Sequence, residues 1–223
     1  FRPKLFMQRD TFARRMAYLS KQNYPVLDLG EAVELCKKNR LPASAVVITI
    51  DDGFFGVIQH ARDTLQRHRF PATVYVASYH ALKQTPVFRL LIQYQLWKTD
   101  KRELILDELG HGLQGHFQLT DPKQREQATE KLIHYGEACG DEEKRKALCV
   151  QLCAHLGINY QTLTQQRLFS LMLTSELQEL VKCDVDVQLH THRHRFPVNA
   201  EAARRELSDK KSALEPLFNK TLK

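Results

Sequence analysis

The sequence predicts an α/β fold with parallel strands and a large helical insertion, and three observations carry that prediction. Val46-Val47-Ile48-Thr49-Ile50 is β-branched throughout, without polar alternation, as expected of a central parallel strand covered on both faces. A helical stretch, Val57 to Arg69, follows, and then a second apolar run, Ala72-Thr73-Val74-Tyr75-Val76; a crossover of that size implies strands running the same way. From about Tyr79 to Val181 the texture changes, with Gln, Glu, Lys and Leu dominating and helical periodicity in place of strand-like runs.

The remaining elements read in order. Phe12, Met16 and Leu19 sit at helical spacing between Arg9 and Asn23, and Tyr24-Pro25 breaks that helix before a short strand, Val26 to Leu29. Ala32, Val33, Leu35 and Cys36 fit a short amphipathic helix that ends before Pro42. In the insertion, helices are expected near Phe88 to Trp97, Lys101 to Leu109, Lys123 to Ala138, Asp141 to Leu156 and Ser175 to Lys182, with Asp121-Pro122 and Thr174-Ser175 as helix starts. Asp184 to Leu189 reads as a further strand, and Asn199 to Leu217 as a charged amphipathic helix. The expected organisation is therefore residues 1–78, an insertion over 79–181, and a return to the sheet over 182–223.

Composition excludes several classes. With 223 residues, 43% hydrophobic and 26% charged, the chain can build a substantial core, and no run approaches the roughly 18–20 apolar residues of a membrane-spanning helix. The net charge of +7 is concentrated in the first fifty residues, but no aromatic-interleaved basic repeat, Cys/His finger or recognition helix accompanies it, so it reads as solvated surface rather than a nucleic-acid site. Five cysteines with no CxxC pair favour a reducing compartment, hence the cytoplasm. The chain opens on Phe1 without a secretory signal, and residues upstream are expected.

Two clusters carry chemistry. Asp51-Asp52-Gly53 follows one predicted strand, and His190-Thr191-His192-Arg193-His194 follows another. In a parallel sheet both open at the carboxyl ends of the strands, where one carboxylate and two imidazoles can form a facial metal site with open positions. Histidines at i and i+4 share a face of a helical turn, which selects His190 and His194, a pairing through His192 being the alternative. Adjacent carboxylates at a strand end point in different directions, so one can bind metal while the other stays free to take a proton from the attacking water. Cys149, Cys153 and His155 lack a second Cys pair, and the thiols read as core-facing. Trp97, Tyr94 and Phe88 share helical spacing and read as core packing rather than a sugar platform.

Thr49-Ile50-Asp51-Asp52-Gly53 resembles the T-F-D-D-G motif, and His190-Thr191-His192-Arg193-His194 the H-[ST]-x-x-H motif, of the metal-dependent polysaccharide deacetylases, carbohydrate esterase family four with its NodB-homology domain. The lead-in from Phe12 to Leu29 is also similar to family sequence, and the insertion resembles that of some bacterial cell-surface members. The resemblance implies a distorted, incomplete (β/α) barrel, with Asp51 as general base and Asp52, His190 and His194 as ligands of a divalent metal, zinc by default, with cobalt or nickel also suited to the set. It implies removal of N-acetyl or O-acetyl groups from a polysaccharide or cell-surface glycan, the substrate being the expected partner. Its alternatives are a related amidohydrolase acting on a non-sugar amide and a catalytically inactive, metal-containing glycan-binding protein.

The chain departs from the family pattern in ways that qualify this. Ile50 replaces Phe, and Arg195 stands where Pro commonly follows the second His. The later R-x-x-P-Y-like and L-x-x-H segments, which in the family follow the His motif and supply an Arg that orients the base, an oxyanion donor and a general-acid His, have no match after His194. Once about 100 residues are assigned to the insertion, too few remain for a barrel that normally needs 200 or more. The chain thus reads as truncated, and it is expected to bind metal yet hydrolyse poorly.

Overall fold

The structure is a computed structural model that describes residues 1, 5–190, 192 and 199–218. The chain forms two compact units, Arg2–Thr85 with Ser170–Lys223, and Pro86–Phe169 with Phe1. Among the described residues no helix is long and apolar enough to cross a membrane.

The first unit holds a parallel sheet. Helices α1 (Arg9–Lys21) and α2 (Leu29–Lys37) lead in, and the Asp28 carboxylate caps α2 by accepting from the Glu31 N–H at 3.1 Å. Strands β1 (Thr49–Ile50), β2 (Ala72–Val76) and β5 (Val185–Leu189) lie in the order β1-β2-β5, all parallel, with Ile50 opposite Val74 and Val76 opposite Leu189. A π-helical turn, Val57–Ala61, and α3 (Arg62–His68) connect β1 to β2, giving the expected strand-helix-strand unit.

The strand buried on both faces is β2, where Ala72, Thr73, Val74 and Val76 are all inaccessible. The Val46–Ile50 run does not have that character. Its Val46 bridges to Val26, its Ile48 carbonyl accepts from the Thr73 N–H at 2.9 Å, and only Thr49 and Ile50 form a strand, with Thr49 exposed. Val26 to Leu29 likewise contributes a single bridge rather than a strand. Two helices that lie largely within 79–181 belong to this unit: α4 (Ser78–Lys83), which packs against α10 (Ala200–Phe218), and α9 (Thr174–Val181), which packs against β5. The Glu176 carboxylate accepts from the Leu173 N–H at 2.7 Å and fixes the start of α9.

The second unit is mainly helical. Its helices are α5 (Phe88–Lys98), α6 (Pro122–Ala138), α7 (Glu142–His155) and α8 (Tyr160–Gln165), and Leu91, Ile92, Leu96, Leu132, Leu148 and Leu152 form the centre of its core. Asp121 caps α6 through the Lys123 N–H with Pro122 in the first turn, and Asp141 caps α7 through the N–H groups of Glu143 and Lys144. Gly136 makes room for the edge of the Phe88 ring, which a Cβ at that position would displace. The expected helix over Lys101 to Leu109 is instead a strand, β3 (Glu103–Ile105), and a 3₁₀ turn, Leu106–Leu109. Strand β3 pairs antiparallel with β4 (His116–Gln118), Leu104 facing Phe117. This pairing wins because it buries Leu104 across the hairpin. Trp97, expected in the core, is 50% exposed, with its ring 5.6 Å from that of Tyr94.

Candidate functional site

The carboxyl end of β2 gathers the two sequence clusters. Beyond β1, the Gly53 N–H donates to the Asp51 carbonyl at 2.9 Å, closing a three-residue turn around Asp52, whose φ is 67°. This is the rarer, strained hand of γ-turn, and Asp is among the few residues other than Gly that tolerate positive φ. Gly53 follows at φ 79°, and a Cβ there would stand 3.0 Å from Val76 Cγ2. The Asp-Asp-Gly order is thus set by backbone geometry as well as by chemistry. Asp51 is left exposed, while Asp52 is half-buried and its carbonyl accepts from the Ala77 N–H at 3.1 Å.

A second segment braces the same loop. Phe54 bridges antiparallel to Leu171, the Phe55 N–H donates to the Ser170 carbonyl at 2.9 Å, and the Met172 N–H donates to the Gly53 carbonyl at 2.9 Å. Ser170, Leu171 and Met172 are buried, so the loop bearing the two carboxylates is held from both sides.

From β5 comes His190, whose N–H donates to the Val76 carbonyl at 3.1 Å. Its Nε2 lies 3.7 Å from Asp52 Oδ1, both side chains about a quarter exposed. Two donors that share a zinc ion at 2.0–2.2 Å stand about 3.4 Å apart at the tetrahedral angle. The observed separation fits a common ion to within about 0.3 Å, and an imidazole with a carboxylate is a suitable donor pair. His194 lies outside the described residues, and among the described residues no three His, Cys, Asp or Glu side chains form a metal-holding group.

His192, between the two motif histidines, is buried. Its Nδ1 shares a hydrogen bond of 2.7 Å with the hydroxyl of Ser78, itself fully buried, and its carbonyl accepts from the Tyr79 N–H at 2.9 Å. The Tyr79 ring meets the imidazole edge-on at 5.7 Å. The sequence reading missed Ser78 and Tyr79, since a Ser after a strand is ordinary turn chemistry and its partner lies 114 residues away.

The second cysteine group has no such geometry. Cys149 and Cys153 are buried in the helical unit, with the Gln95 amide nitrogen donating to the Cys149 carbonyl and to Cys153 Sγ, each at 3.1 Å. His155 faces Glu108 at 3.5 Å.

No family model matches the chain, and no curated protein matches it. Solved structures do. The deacetylase PplD of Streptococcus pyogenes, in complex with acetate, matches with a TM-score of 0.54 at 14% identity over 98% of this chain and 61% of that one. A de-N-acetylase from Aggregatibacter actinomycetemcomitans matches with a TM-score of 0.52 at 10% identity, over 98% of this chain and 68% of that one. The chain therefore shares the fold of these two deacetylases while spanning about three fifths of the length of the first.

Proposed function

We propose that this chain, built on the fold it shares with solved deacetylases, is a metal-dependent hydrolase that removes N-acetyl or O-acetyl groups from a polysaccharide or cell-surface glycan, on a distorted, incomplete (β/α) barrel. The observation that carries the reading is the 3.7 Å approach of Asp52 Oδ1 and His190 Nε2 at the end of the sheet, with Asp51 adjacent and exposed. In this reading Asp52, His190 and His194 hold the divalent metal, zinc by default and cobalt or nickel also suited to the donors. The bound metal would supply Lewis-acid polarisation of the acetyl carbonyl and an acidified water.

The chain's own residues do the rest. Asp51, its side chain in solvent and outside the donor pair, takes the proton of the attacking water. The γ-turn at Asp52 separates the directions of the two carboxylates, so that one is held for the metal while the other remains available as a base. The brace from Ser170 to Met172 holds that turn in place against the end of β2.

The test is acetate release from a panel of N- and O-acetylated oligosaccharides and small cyclic amides, with zinc supplied and with zinc removed by chelation. Release from the oligosaccharides that depends on zinc supports the reading. Release from the cyclic amides alone would replace the glycan by a non-sugar amide, and zinc binding with glycan retention but no acetate would make the chain a binding protein.

A further inference from the structure

His190 sits at the very end of β5, and the segment after it must be held if the His190 imidazole is to face Asp52. Among the described residues, the two that begin α4 hold it. The Ser78 hydroxyl meets His192 Nδ1 at 2.7 Å, the Tyr79 N–H donates to the His192 carbonyl at 2.9 Å, and the Tyr79 ring packs on the imidazole edge at 5.7 Å. Ser78 and His192 are 0% and 8% exposed, so their hydrogen bond is sheltered from competing water. Both ends of this contact are anchored to one point: Ser78 follows β2 by a single residue, Ala77, whose N–H donates to the Asp52 carbonyl, and His190 donates to the Val76 carbonyl.

We infer that Ser78 is a positioning residue, which through its hydrogen bond to His192 fixes the His190 backbone and aims that imidazole at Asp52. The hydroxyl acts through His192 and not by contact with the Asp52–His190 pair. A hydroxyl at residue 78 is needed and a methyl does not suffice, because the buried imidazole nitrogen would be left without its 2.7 Å contact. Partners that orient a metal ligand from outside the coordination shell typically change metal affinity 10- to 100-fold when removed. The metal consequence rests on the proposed metal site, and the ordering of the strand end does not.

The experiment measures two quantities in the parent chain and in Ser78→Ala, Ser78→Thr, His192→Phe, the double variant Ser78→Ala/His192→Phe, and Val74→Ala. These are zinc affinity by isothermal titration and amide hydrogen exchange over residues 185–192. His192→Phe keeps a ring against Tyr79 but removes Nδ1, and it carries the test should Ser78→Ala fail to fold. Val74→Ala opens a cavity in the same strand without touching the hydrogen bond, and so reports general destabilisation. The expected result is faster exchange and about 10- to 100-fold weaker zinc binding in Ser78→Ala and His192→Phe, with no further loss in the double variant, parent-like values in Ser78→Thr, and parent-like zinc affinity in Val74→Ala. Unchanged exchange in both single variants, or an equal zinc loss in Val74→Ala, overturns the inference. Should the parent bind no zinc, the metal-site reading falls, and the exchange measurement alone decides the role of Ser78: a rise at the end of β5 in the two single variants and their double that exceeds the rise in Val74→Ala supports it, and a rise no larger than that in Val74→Ala overturns it.

Discussion

The Val76 carbonyl accepts a hydrogen bond from the His190 N–H at 3.1 Å, and the Val76 side chain occupies the space that a Cβ on Gly53 would need. One residue at the end of the central strand thus touches both the Asp-Asp-Gly turn and His190. The separation of Asp52 from His190 follows from that shared contact.

Gly53→Ala tests this packing. The substitution places a side chain at φ 79° and 3.0 Å from Val76 Cγ2, so it is expected to cost about 1–3 kcal/mol of stability. A lowered urea midpoint in equilibrium unfolding is the expected result, with zinc affinity reduced as Asp52 is displaced. An unchanged midpoint would contradict the close approach.

Asp51→Asn separates the base from the ligands. The carboxylate lies in solvent, outside the Asp52–His190 pair, so its loss is expected to leave zinc affinity within about twofold and to lower acetate release by about 10²- to 10⁴-fold. Steady-state kinetics beside isothermal titration checks both halves of the statement.

The helical unit has its own pH signature. Burial raises the Cys149 thiol to about 12, assisted by the neighbouring Cys153, and burial raises Cys153 to about 11 against the opposing hydrogen bond from Gln95. Groups whose folded pKa lies above the unfolded value of 9.0 contribute stability that is whole below pH 9 and is lost as pH rises through about 11 to 12. Thermal stability should fall over that alkaline window, and Cys149→Ala should flatten the decline. In the native protein a thiol reagent should modify the exposed Cys36 and spare Cys149 and Cys153 until the chain unfolds.

The parts of the fold that were legible in sequence are those governed by local pattern. Ala72 to Val76 is a largely apolar run and Asp184 to Leu189 alternates polar with apolar residues, and they appear as β2 and β5 almost to the residue. Helices α6 and α7 begin at Asp121-Pro122 and Asp141, where capping chemistry is written in the side chains. The β3–β4 hairpin was not legible, because its three-residue strands carry too short an alternation and their pairing depends on partners across a loop. At the site, Asp52 Oδ1 and His190 Nε2 lie 3.7 Å apart, each at the end of a strand that is legible in sequence, whereas the exposure of Thr49, the burial of His192 and the contact with Ser78 depend on tertiary packing that no local pattern encodes.

The most direct test of the account is zinc titration of the parent chain against Asp52→Asn, His190→Ala, His194→Ala and Asp51→Asn. Asn tolerates the positive φ at position 52, so the first of these removes the charge while leaving the turn intact. The account predicts one equivalent of zinc in the parent, retained in Asp51→Asn and weakened by at least about 100-fold in the other three. A parent that binds no zinc, or zinc binding that survives the loss of Asp52 and His190, would contradict it.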